Sequence, residues 1–85
     1  MELKEMHQIT WGAIDRIARE NNITVSRLAR LSGLDPTAFN RSKRMVYDRK
    51  GNLKERFLST ESISRVLIAM NLTWEDFSKF TKKGV

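Results

Sequence analysis

Residues 24–44 read TVSRLARLSGLDPTAFNRSKR, and the fold expected for the 85-residue chain turns on this stretch. Thr24 is a good helix N-cap, because its hydroxyl accepts from an orphan amide of the first turn, and Val25, Leu28 and Ala29 follow at helical spacing. Gly33 tolerates positive φ, as a tight turn between helices demands. Asp35-Pro36 then has the form of a second helix start, Asp as cap and Pro at the first helical position. The expectation is two short helices, about 25–32 and 36–42, joined as a helix-turn-helix over 24–44. Ala29 and Gly33 are small where the two must cross, and Leu28, Leu34 and Phe39 anchor both to one core.

The second of these helices would carry Thr37, Asn40, Arg41, Lys43 and Arg44. Arg and Asn are the side chains that pair two-pronged with guanine and adenine edges in a major groove. Charge points the same way. The formal net charge is +6, and nine Lys/Arg against three Asp/Glu fall between Arg27 and Arg56, so that segment holds the whole excess. A localised basic face over such a motif suits a phosphate backbone.

Working outward, the segment 1–8 is polar and expected to fray, and Thr10 is expected to cap a first helix reaching about Asn21. Trp11, Ile14, Ile17 and Ala18 form its apolar stripe, with Asp15–Arg19 and Arg16–Glu20 as i,i+4 charge pairs on the wet side. Downstream, Met45-Val46-Tyr47 and Leu53 with Phe57-Leu58 flank the turn signal Lys50-Gly51-Asn52, so 45–58 is either a short hairpin or an irregular basic loop. Ser59 caps a helix over about 60–70, with Ile63, Val66, Leu67 and Met70 as its core stripe and Ile68 and Ala69 widening it. Thr73 caps a last helix over about 74–81, anchored by Trp74, Phe77 and Phe80, with Lys79, Lys82 and Lys83 near its C-terminus. The sum is an all-α, compact five-helix bundle, one domain over 1–85.

The runs Leu28-Ala29-Arg30-Leu31-Ser32-Gly33-Leu34, Asp35-Pro36-Thr37-Ala38-Phe39-Asn40 and Ser59-Thr60-Glu61-Ser62-Ile63 resemble the lambda-repressor-like (Xre/Cro) helix-turn-helix family, across nearly the whole chain. DPTAFNRSKR followed by a basic loop and STESI is similar to the N-terminal domains of phage-repressor-type bacterial regulators. The loop after the third helix is longer than in the most compact members. The resemblance implies transcriptional repression or activation, and a homodimer on a double-stranded DNA operator with two half-sites. Many such regulators carry a C-terminal self-cleaving peptidase domain that also dimerises. On that reading this chain, ending just after its fifth helix, is the DNA-binding part alone.

The candidate readers of base edges are Thr37, Asn40 and Arg41, with Arg41 on a guanine the foremost pair. The candidate phosphate ligands are Ser26 and Arg27 at the start of the second helix, Lys43 and Arg44 at the end of the third, and Arg49, Lys50, Lys54 and Arg56 in the loop. Trp11, Phe39, Phe57, Trp74, Phe77 and Phe80 fit core positions better than stacking platforms, and Trp74 and Phe80 also suit a dimer seam.

Other classes are disfavoured. There is no cysteine, so disulfides, thiolate zinc sites and thiol catalysis are excluded, and a reducing compartment such as the cytoplasm is expected. No apolar run spans a bilayer and no signal-peptide layout opens the chain. His7 is the single histidine and stands in the expected fraying end; the carboxylates are dispersed, and no glycine loop cradles phosphate. No catalysis, metal or cofactor is expected. The competing reading is a helical protein-interaction module whose basic face meets an acidic protein partner.

Overall fold

A computed structural model describes residues 2–82; Met1 and the expected chain-end residues Lys83, Gly84 and Val85 lie outside the described residues. Within them the chain forms α1 (Leu3–Glu20), α2 (Val25–Leu31), a 3₁₀ turn (Arg41–Lys43), β1 (Met45–Tyr47), β2 (Leu53–Glu55), α3 (Thr60–Ala69) and α4 (Trp74–Phe80). The five-helix all-α expectation is thus wrong: four α-helices carry a two-stranded antiparallel hairpin, with Met45 opposite Glu55, Val46 opposite Lys54 and Tyr47 opposite Leu53. None of the helices is long and apolar enough to cross a membrane.

The helical frame follows local rules. Thr24, Ser59 and Thr73 each accept a hydrogen bond from the third amide of the helix they precede, and the Thr73 amide in turn donates to the Asp76 carboxylate, closing a capping box. Three helices also end alike. Asn22, Gly33 and Asn71 have φ of 55°, 75° and 55°, the left-handed conformation that turns the chain off the helix axis. The next amides, of Ile23, Leu34 and Leu72, bond back to Ala18, Ala29 and Leu67, and all three side chains pack on the core. That core centres on Trp11, Ile14 and Ile17 of α1, with Leu28, Phe39, Val66, Leu67 and Phe77. Around it α1 packs on α2 and α4, and α2 on α3.

The expected third helix is not formed. Asp35 does not cap it: its Oδ1 accepts from both the amide and the hydroxyl of Thr37, a tight side-chain turn across Pro36. Residues 36–39 make an isolated turn, Asn40 is extended at φ −64°, ψ 148°, and only the 3₁₀ turn follows. Seven residues containing Thr37, Asn40 and Ser42 propagate a helix poorly, and the Phe39 carbonyl, which a helix would give to the Lys43 amide, goes to the Arg44 guanidinium instead.

α1 departs in the other direction, beginning at Leu3, with the Thr10 hydroxyl donating to the Met6 carbonyl rather than capping. Its first turns are ordered because His7 is buried and packs edge-on to Phe57, ring centres 5.5 Å apart. Ile68 faces solvent at 80 % exposure rather than widening the core; Trp74 and Phe57 are nearly half exposed, while Trp11, Phe39 and Phe77 are buried as expected.

Candidate nucleic-acid interface

Residues 35–56 are held to the frame by Phe39 in the core and by side chains bonding to backbone. His7, Trp11 and Asp15 stand four residues apart on α1 and so share one face. The His7 Nε2–H donates to the Arg44 carbonyl at 2.7 Å, and the Trp11 indole N–H to the Arg56 carbonyl at 3.0 Å. Asp15 takes both terminal nitrogens of Arg44, at 2.6 and 2.9 Å. The same guanidinium lies 4.6 Å from the Trp11 ring centre and donates to the Phe39 carbonyl. A forked, planar cation is needed to satisfy a carboxylate, a carbonyl and an aromatic face together. Arg56 does the matching work from the other end of the hairpin: its amide bonds the Arg44 carbonyl and its guanidinium bonds the Lys43 carbonyl at 2.8 Å. The hairpin base, the 3₁₀ turn and α1 are thereby one fixed unit.

This geometry sorts the expected phosphate ligands. The Arg44 side chain, 12 % exposed, and that of Arg56 bond inward, where they hold the backbone bearing the others. Arg41, Lys43, Arg49, Lys50 and Lys54 are exposed, and none of the five has an ion-pair partner among the described residues. On α2, Arg27 is exposed and Ser26 half-buried.

Among the expected base readers, Arg41 is exposed at the start of the 3₁₀ turn and Asn40 is half-buried just before it. The Thr37 hydroxyl is already spent, donating to Asp35 at 2.6 Å and accepting from the Lys43 ammonium at 2.9 Å. It therefore aims Lys43 rather than offering a free donor. The hydroxyl and amide of Thr37, with Lys43 beside them, hold the Asp35 carboxyl below the ordinary 3.8.

Sequence spacing missed Arg19. It was expected to pair with Asp15, but Asp15 is taken by Arg44, and neither that pair nor Arg16–Glu20 forms. Arg16, whose guanidinium reaches the Phe80 carbonyl, lines with Arg19 and Arg41 an open cleft between α1, Val25 and the 3₁₀ turn. The only available signal was competition for Asp15, which requires knowing that Arg44 comes near it. No trio of His, Cys, Asp or Glu among the described residues is placed to hold a metal. Comparison of the chain with known protein families, with curated proteins and with solved structures finds no match.

Proposed function

We propose that the protein binds double-stranded DNA as a cytoplasmic, nucleoid-associated transcription regulator, two copies meeting an operator of two related half-sites. The observation that carries this is the set of five exposed cations, Arg41, Lys43, Arg49, Lys50 and Lys54, without an ion-pair partner among the described residues, on a backbone fixed to the frame by Arg44 and Arg56. A surface built to be solvated alone has no need of that fixation, whereas a pre-ordered cationic edge binds a polyanion without losing its own freedom. The reading edge is the turn and 3₁₀ segment rather than a helix. Asn40 and Arg41 meet base edges there, while Lys43, Arg49, Lys50 and Lys54 meet phosphates, with Arg27 and Ser26 on α2 beside them.

Selection from random duplexes, then titration of enriched and scrambled DNA at two salt concentrations, tests this. The expected result is a two-fold-related motif bound far more tightly than its scramble. Arg41→Ala should cost about 1–3 kcal/mol on that motif and relax one base position. Lys50→Ala should weaken both duplexes alike and lower the salt slope by about 0.9. No enriched motif, with equal affinity for both duplexes, would refute sequence-specific binding and turn the search to an acidic protein partner.

A further inference from the structure

The apex of the hairpin has a design that backbone neutralisation alone does not require. The Asp48 carboxylate is turned inward, accepting from the amides of Lys50 and Asn52 at 2.9 Å each, while the Asp48 amide bonds the Asn52 carbonyl and the Gly51 amide the Asp48 carbonyl. Gly51 supplies φ +82° at the bend. The turn is thus fixed by its own bonds, and Arg49 and Lys50 stand out from it with no competing carboxylate partner. Immediately below, Tyr47 and Leu53 are directly opposed across the strands, so their side chains share one face, and they are 75 % and 56 % exposed. Two large apolar side chains paired beside a cationic tip suit neither water nor a row of phosphates.

The minor groove of DNA meets both needs. Its walls are deoxyribose, which is apolar, and its floor where narrow carries a strong negative potential that attracts an inserted Arg. A groove about 6 Å wide admits one side chain but not a two-stranded ribbon, so the strands must stop at its rim. Each strand is three residues, and at about 3.3 Å per residue the apex stands roughly 10 Å beyond the 3₁₀ turn, enough to pass one phosphate strand. We propose that Arg49, rather than stopping at a phosphate, enters the minor groove flanking the site read by Asn40 and Arg41, with Tyr47 and Leu53 against its sugar walls. This deepens, and rests on, the DNA-binding reading above.

The test uses a labelled mixed-sequence duplex displaced by poly(dA-dT), poly(dI-dC) or poly(dG-dC). Inosine–cytosine pairs carry the minor-groove pattern of A·T pairs and the major-groove acceptors of G·C pairs. Minor-groove insertion predicts that poly(dA-dT) and poly(dI-dC) both compete about fivefold or more better than poly(dG-dC). Arg49→Ala should bind the labelled duplex more weakly but measurably, and rank the three polymers equally; its side chain is exposed and has no ion-pair partner among the described residues, and an unchanged unfolding curve verifies that the variant is intact. Equal competition by all three in the unaltered protein, grouping of poly(dI-dC) with poly(dG-dC), or a ranking that survives Arg49→Ala would each overturn the insertion while leaving DNA binding in place. Failure to bind the labelled duplex at all would overturn both.

Discussion

The helical frame and the 35–58 segment are built on opposite principles within one chain. In the frame, each element is specified by residues that touch it locally: a hydroxyl at each of three starts, a left-handed Asn or Gly at each of three ends, and an apolar side chain folded back just after. In the 35–58 segment regular structure is scant, and what fixes it comes from far away: His7, Trp11 and Asp15 lie 37, 45 and 29 residues from their partners. Local specification marks where the helices of the frame start and stop, although the core they share also takes in Phe39 of the segment. Long-range specification makes a segment whose shape depends on that frame, which suits an edge that must present a defined but non-helical surface.

The comparison breaks most readily at Arg44. Arg44→Ala removes the Asp15 pair, the bond to the Phe39 carbonyl and the layer over Trp11 in one step. We expect a loss of about 3 kcal/mol, read by urea unfolding, at the lower end for a buried pair because Asp15 is partly solvated. Arg44→Lys should recover less than half, since an ammonium cannot serve the carboxylate two-pronged and the carbonyl together. Amide exchange should accelerate from 36 to 56 while α3 and α4 keep their protection relative to the global opening. Equal acceleration everywhere would show that the segment and the frame are one cooperative unit.

The same division explains what could be read from the amino-acid order. Thr24, Ser59 and Thr73 declare helix starts because a cap needs only its own next three residues, and Gly33 declares its turn for the same reason. The third helix was misread because Asp35-Pro36 satisfies the local pattern of a helix start equally well, and what defeats it, Arg44 on the Phe39 carbonyl, belongs to the tertiary structure. Arg44 and Arg56 could not be told from Lys43 and Lys54 for a related reason: charge is legible in a sequence, but the carboxylate, carbonyls and indole that engage it are not. His7 lay in an end expected to fray, because the carbonyl that fixes it is on the far side of the hairpin base. Ile68 was read as core since helical spacing gives a stripe its width but not its limit.

A smaller effect sharpens the contrast at two glycines. Gly33 has φ +75° and Gly51 φ +82°, so alanine at either is strained by about 1 kcal/mol. A Cβ at Gly51 meets nothing, and one at Gly33 meets only the end of the Arg65 side chain, at 3.3 Å, which can swing aside. The backbone cost is therefore comparable, but its readout should differ. Gly33→Ala should lower global stability by the full amount, because its turn joins α2 to the core through Leu34. Gly51→Ala should leave the global midpoint nearly unchanged and appear as faster exchange of the Gly51 and Asn52 amides. Equal shifts in the midpoint would mean that the hairpin opens only with the frame.

The smallest effect compares two carboxylates that do similar work on either side of the division. Asp76 is held below the ordinary 3.8 by the Thr73 amide and then its hydroxyl, in the capping box of α4. Asp35 is held below it by the Thr37 hydroxyl and then its amide, in the turn that stands where a helix was expected. Asp35 is exposed and Asp76 only half-buried, so the gain from each is modest and screened by salt. For a carboxyl whose folded pKa lies below its unfolded value, the stabilisation is complete above the unfolded value and fades as pH falls through the folded one. Stability should therefore drop on acidification below about pH 4, the unfolded carboxylate range, and high salt should blunt the drop. Asp76→Asn should flatten that acid limb as read by global melting. Asp35→Asn should leave the limb largely in place and instead release Lys43, whose bond to Thr37 leans on the same carboxylate, giving a DNA affinity less sensitive to acid than that of the unaltered protein. If the two variants flatten the melting profile equally, the turn at Asp35 is part of the frame after all, and the proposed reading edge begins only at Asn40.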